Sequence, residues 1–202
     1  MKKIALFLVA PFMLSMSDAA LAVTTESVRE QSGFSLVGGV IQLSDRKLSN
    51  DLSGLAVQYQ FKLSPETRLE LGVNGAEDAS QEYLRYHFEG GYQLFTLEQF
   101  KCECSVGVIL RAGQEKYDGV FTDKHTLYGA GFYSRGELLP NVYTSTKFGY
   151  QDDNAEDPFT RRGWFLDYQI SYELNRRADV YLNYQRQYDQ HVAGLGINVR
   201  FF

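Results

Sequence analysis

The feature that most constrains this chain is a two-residue alternation of apolar and polar side chains, clearest from Gly163 to Leu174. Successive side chains on an extended strand point to opposite faces, so Trp164, Leu166, Tyr168, Ile170, Tyr172 and Leu174 share one face. Asp167, Gln169, Ser171 and Glu173 share the other. A soluble sandwich strand shows the same alternation. Here, however, Trp164 and Tyr172 sit towards the ends of the apolar row, where a membrane-spanning strand places its interfacial aromatics. The stretch is therefore a candidate transmembrane β-strand, with Trp164 and Tyr172 as anchors at opposite membrane edges.

The same period recurs. Leu55, Val57, Tyr59 and Phe61 alternate with glycine, alanine and polar residues; so do Leu69, Leu71 and Val73, then Leu84, Tyr86 and Phe88, then Val106, Val108 and Leu110. Counted along the chain, the segments number ten: 34–43, 52–62, 68–74, 82–93, 104–113, 126–137, 142–151, 163–174, 180–185 and 193–201. Connections at 44–51, 75–80, 114–125, 152–162 and 186–191 are assigned to one side, and the shorter turns 63–67, 95–101, 138–141 and 175–179 to the other. The expected fold is all-β, an antiparallel up-and-down transmembrane β-barrel of ten strands, with both ends on one side. Eight strands is the alternative, reached if 68–74 and 126–137 are loops, but it leaves long structureless stretches. Pro65, Pro140 and Pro158 all fall in connections, where a missing N–H costs no ladder hydrogen bond.

The N-terminus gives the compartment. Lys2 and Lys3 precede an apolar run from Ile4 to Leu14, and Ala20-Leu21-Ala22 offers small residues for cleavage, the pattern of a secretory signal peptide. Pro11 and the early polar residues Ser15, Ser17 and Asp18 count against a spanning helix. The expected organisation is a signal peptide at 1–22, a short periplasmic leader at 23–33 and a barrel domain at 34–202. An exported chain without a second long apolar run crosses a membrane only as a closed barrel. The mean hydropathy of -0.30 is compatible with this, because lumen-facing polar residues dilute the average. A net charge of -5 argues against nucleic acid as a partner.

Cys102 and Cys104 are the two cysteines of the chain. Three readings stay open for them: a plain structural role, a strained local disulfide if the segment turns, and a functional thiol. Two thiols fall short of a structural zinc site.

On the assigned register the lumen carries Lys62, Arg68, Arg85, Arg111, Arg135, Lys147 and Arg200 against Glu70, Glu89, Glu115, Glu137, Asp167 and Glu173. The signs nearly balance. A narrow barrel fills its interior with side chains, whereas open water channels are seen at around 16 strands, so these residues are read as an ion-pair network plugging the barrel. A narrow channel for solutes is the alternative. Asp189 and His191 share a strand face and resemble a general-base pair, but no second acidic pair accompanies them. His87 is read as a lumen hydrogen-bonding residue, and the charged connections, Asp45, Asp152 and Asp153 among their residues, as a solvated surface with recognition of a ligand as the functional alternative.

The alternation, the signal peptide and the ending Asn-Val-Arg-Phe-Phe together resemble the small outer-membrane β-barrel proteins of Gram-negative bacteria, the broad group that includes the OmpA transmembrane domain and OmpX-like proteins. That resemblance implies a cell outer membrane location among lipid and lipopolysaccharide, and insertion by the barrel assembly machinery. The signal for that machinery is an alternating apolar row ending in an aromatic. Leu195, Ile197, Val199 and Phe201 match the row, and Phe202 is the terminal aromatic, one position out of register. The expected role is structural or surface-interacting, in adhesion or envelope integrity, for a monomer with no catalytic residues, cofactor or metal. A lipid- or peptide-hydrolysing barrel is the enzymatic alternative. Class membership transfers no specific function.

Overall fold

A chain whose apolar residues recur at every second position buries or exposes whole faces at once, and closing the sheet on itself removes its edges. The computed structural model describes residues 34–45, 51–99, 102–118, 123–154 and 162–201. The described residues form ten strands: β1 (Phe34–Asp45), β2 (Leu52–Lys62), β3 (Thr67–Glu77), β4 (Glu82–Gln99), β5 (Cys102–Asp118), β6 (Asp123–Leu139), β7 (Val142–Asp153), β8 (Gly163–Asn175), β9 (Ala178–Gln187) and β10 (Gln190–Phe201). Each pairs antiparallel with its chain neighbour, and β1 pairs with β10 from Phe34↔Phe201 to Asp45↔Gln190, closing the barrel. The signal peptide 1–22, the leader 23–33 and Phe202 lie outside the described residues.

The barrel has inverted polarity. Outward apolar residues remain exposed, for example Leu110 at 66 %, Leu55 at 64 % and Trp164 at 63 %. Arg85, Glu89, Arg111, Glu115 and Arg200 point inward and are buried. Register follows from this contrast, since a slip of one residue would turn the lumen charges to the outside. In hydrocarbon that costs about 2–4 kcal/mol for each Arg or Lys at mid-depth.

Aromatic side chains mark both ends of the outer surface. Phe34 on β1 stacks on Tyr59 at 5.7 Å, lies 5.5 Å from Phe61 and stacks on Phe201 at 5.3 Å, clamping the seam where β10 meets β1. At the other end Trp164 lies parallel to Phe148 at 5.0 Å and edge-on to Tyr150 at 5.6 Å. Tyr172 is exposed towards the end bearing Phe34.

Turn chemistry explains the short connections. In the β6–β7 turn Pro140 supplies a fixed φ, and Asn141 follows with φ 66°, a conformation that asparagine tolerates better than most residues. Between β3 and β4, Asp78 Oδ1 accepts from the N–H groups of Ser80 at 2.7 Å and Gln81 at 2.8 Å, an Asx turn. The β9–β10 turn needs φ 51° at Tyr188, whose ring packs beside Gly163 and whose hydroxyl accepts from Gln151 Nε2 at 3.1 Å. Burial pushes the Tyr188 phenol upward in pKa, keeping it neutral.

Several expected boundaries are corrected. The eight-strand alternative fails because 68–74 and 126–137 lie within β3 and β6. The expected loop 114–125 is mostly strand: β5 continues to Asp118 and β6 starts at Asp123. Its charged composition suggested a loop, yet Glu115, Tyr117 and His125 face the lumen. The expected turn 95–101 is also mostly strand, because β4 runs to Gln99 past an irregularity between Gln93 and Phe95. Asp45 and Asp153 are buried inside the barrel, against their reading as solvated loop residues. Of the expected turn 175–179, only 176–177 lie between strands, which puts Asp179 on β9.

Candidate functional site

The lumen is built in three layers. At its centre, Glu89 and Arg111 are Cα partners on β4 and β5, and Lys147 and Asp167 are Cα partners on β7 and β8. Inward positions on paired strands stand side by side, so each wall carries one charge of each sign. The pairs then exchange partners across the lumen. Arg111 reaches Asp167 at 2.6 Å as well as Glu89 at 2.9 Å, while Lys147 reaches Glu89 at 2.6 Å and Glu70 at 3.2 Å. Glu70 also meets His87 Nε2 at 3.3 Å and accepts from Gln60 Nε2 at 3.3 Å. The Arg111 guanidinium lies 3.8 Å from the centroid of the Phe165 ring. Charges taken this far from water persist only when paired, and here each carboxylate meets at least one cation.

Above the network, towards the end that carries the β1–β2 and β7–β8 connections, apolar side chains fill the lumen. Leu43 and Leu52 are Cα partners with no exposed surface, and the Tyr83 and Tyr117 rings meet at 5.0 Å. Ile41, Ala56, Ala76 and Val192 complete the cluster. Buried polar groups are interleaved with it: Arg85 with Glu115 at 3.5 Å, Tyr83 donating to Glu115 at 3.2 Å, Tyr117 donating to Asp45 at 3.2 Å, and His125 beside Asp153 at 3.7 Å.

A cavity of about 840 Å³ runs from Ile41, Ala56 and Val192 of the apolar cluster, past the central charges, to the end where Phe34 and Phe201 lie. Arg200 joins its wall, paired to Asp179 at 3.3 Å and Glu173 at 3.9 Å. Lys62, Arg68 and Arg135 also line it. The lumen is thus a cup, walled by ion pairs, floored by the apolar cluster and open at one end.

Nine of the thirteen lumen residues read from the sequence lie in ion pairs: Glu70, Arg85, Glu89, Arg111, Glu115, Lys147, Asp167, Glu173 and Arg200. Glu137 instead accepts from the Asn141 N–H at 3.0 Å and braces a turn. Arg68 stacks on Tyr133, and neither Lys62 nor Arg135 forms an ion pair among the described residues. Sequence reasoning missed Asp179, Asp45, His125 and Asp153. The signal was present: the parity of each strand, continued through the charged stretches, places all four inward.

Other candidates separate. His191 lies on the outer face and meets the Tyr184 hydroxyl through Nδ1 at 2.7 Å, away from the lumen, and Asp189 lies in the turn before it. Cys104 is half-buried on β5, and the side chain of Cys102 lies outside the described residues. Among the described residues no three His, Cys, Asp or Glu side chains converge as metal ligands do.

No family model and no curated protein matches the sequence. Solved structures with a similar course of chain include a de novo designed transmembrane β-barrel, at 11% identity over 85% of this chain and 98% of that chain with a TM-score of 0.43. Neisserial surface protein A is similar at 12% identity over 84% and 98%, TM-score 0.42, and the KdgM porin at 13% over 84% and 99%, TM-score 0.41. Likenesses this distant carry no argument about what the chain binds.

Proposed function

We propose that this chain is an outer-membrane β-barrel of a Gram-negative envelope, exported through a cleaved signal peptide over 1–22, with a structural or surface-interaction role and no catalytic one. The carrying observation is the inverted polarity of a closed barrel: exposed apolar residues outside, buried ion pairs inside. In water such a surface would drive association, whereas in hydrocarbon it is the solvent-matched face. The strands, 10 to 18 residues long, suffice to span, since a tilted β-strand needs about 9–11. Short turns at the end bearing Phe34 and Phe201 support reading that end as periplasmic.

Outer-membrane lipid and lipopolysaccharide then contact the outward residues. The barrel assembly machinery reads β10, whose Phe201 closes the seam against Phe34. The surface-interaction part rests on the charged rim, where Lys116 pairs with Asp118 at 2.9 Å and Arg162 with Asp152 at 3.5 Å. The lumen layers favour a plugged barrel over a conducting channel.

Trp164 is the sole tryptophan, which makes the placement testable by fluorescence. In bilayers containing brominated lipids, quenching is expected to be strongest with bromines near the headgroups and weaker with bromines near the chain ends. The folded protein should also migrate differently before and after heating in a detergent gel. Recovery in the soluble periplasm, or Trp164 emission indifferent to every brominated lipid, overturns the reading.

A further inference from the structure

The cup contains guanidinium groups that the ion-pair network leaves out. Arg85, Arg111, Lys147 and Arg200 each hold a carboxylate. Arg68 on β3 and Arg135 on β6 hold none among the described residues, although both line the same cavity. Two carboxylates, Glu66 and Glu137, line the mouth of the same cavity. Glu66 accepts from Ser64 Oγ at 3.0 Å and Glu137 from the Asn141 N–H at 3.0 Å, each bracing its own turn.

The wall is shaped around Arg68. Its side chain crosses Gly91 of β4, where a Cβ would stand 2.8 Å from Nε. Its Cζ then lies 3.8 Å from the centroid of the Tyr133 ring, and Tyr133 lies over Gly107 of β5. Two glycines on adjacent strands therefore open a slot that the stacked pair fills. Stacking holds the guanidinium plane, and Nη2 is shielded from solvent without a hydrogen-bond partner. Arg135 is two residues beyond Tyr133 on the same strand face, roughly 6.5 Å along the strand. It lies within electrostatic reach of both Arg68 and Arg200, and of Asp179, which Arg200 already holds at 3.3 Å. Like charges gathered at a partly desolvated wall repel, and an anion seated between them relieves the repulsion.

We propose that the cup is a binding site for the oxyanion group, carboxylate or phosphate, of a small solute, held by Arg68 and Arg135 with Lys62 at the mouth. The cavity of about 840 Å³ is of the size that small-molecule sites occupy. The anion chemistry is independent of membrane orientation. That the solute is periplasmic rests on the proposed placement, which Trp164 quenching tests separately.

The test is calorimetric titration of the folded full-length protein in an uncharged detergent at low salt, with inorganic phosphate, glucuronate and neutral glucose as probes. Saturable binding of phosphate or glucuronate, without binding of glucose, is expected, and the two anions distinguish a phosphate source from a carboxylate one. Arg68→Gln and Arg135→Gln should each weaken binding about tenfold or more, the loss of a charge-assisted contact. Arg162→Gln on the opposite rim should leave it unchanged. If a glutamine variant fails to reach the heat-modifiable form, Arg68→Lys and Arg135→Lys take its place, with a smaller weakening expected because charge survives and the planar fork does not. Absence of saturable binding by both anions, or wild-type affinity in the Arg68 and Arg135 variants, overturns the proposal.

Discussion

Arg111 shows how a single lumen residue holds two walls together. It satisfies Glu89 beside it and Asp167 across the barrel, and it rests on the face of Phe165. Removing it leaves Asp167 without an ion-pair partner among the described residues, whereas Glu89 keeps Lys147 at 2.6 Å. A buried carboxylate stripped of its partner costs more than the pair itself contributed, about 3–5 kcal/mol. Arg111→Met is therefore expected to lower unfolding stability by that amount in urea titrations of the protein in lipid vesicles. Adding Asp167→Asn should recover part of the loss, because it removes the orphaned charge along with its partner. A loss below about 1 kcal/mol would show that water or a neighbouring cation replaces Arg111. The parity of each strand made the inward position of these residues legible in the sequence. Their choice of partner was not legible, since Arg111 meets residues 22 and 56 positions away and Lys147 meets one 77 positions away. Such contacts depend on how ten strands curve, which no local pattern encodes.

At the scale of elements, the glycines on facing strands decide how closely β6, β7 and β8 pack behind that network. Gly131 and Gly149 are Cα partners, both inward, and Phe165 on β8 pairs with Gly149. The missing side chains let the Phe165 ring lie flat over β7, where it supports Arg111. A Cβ at Gly149 would meet the Ala130 carbonyl and Gly131 Cα, and would stand 2.6 Å from Phe165 Cζ. Gly149→Ala is expected to destabilise by about 1–3 kcal/mol, an overpacking cost that backbone neighbours cannot relax away. Gly75→Ala, whose Cβ would find its nearest atom at 3.9 Å, should change stability little, and the pair can be read by the same urea titration. Equal effects would locate the cost in general strand preference instead of this contact. The strands themselves were legible through their alternation. Their ends were not, because lumen-facing charge in 114–125 has the composition of a solvated loop. Asp179 was lost for the same reason, in a run of Asn175, Arg176 and Arg177 that resembles a long turn while only two of its residues leave the ladder.

For the whole molecule the layers act in series, and a series of seals conducts only when the tightest one opens. Ions entering from the mouth at the Phe34 and Phe201 end can occupy the cup of about 840 Å³, whose wall carries the ring of Arg111, Glu89, Lys147 and Asp167. Beyond it stand Leu43 and Leu52, with Tyr83 and Tyr117, all buried. That apolar layer leaves a hydrated ion no open path, because its side chains are packed together and its interleaved charges are already engaged, Glu115 by Arg85 and Tyr83 and Asp45 by Tyr117. The wild-type protein in planar bilayers should therefore show no steady conductance above background. The arrangement predicts a specific pattern among variants. Arg111→Met removes a crossing charge from the ring and leaves the apolar layer intact, so it should remain closed. Leu43→Gly with Leu52→Gly thins the apolar layer above an intact ring and should give at most brief openings. Only the three substitutions together should yield a channel of stable size, after circular dichroism and heat-dependent mobility show that the barrel still folds. A stable channel in the wild type, or in Arg111→Met alone, would mean that the leucine and tyrosine layer does not seal, and the reading of the lumen as a blind cup would fall with it.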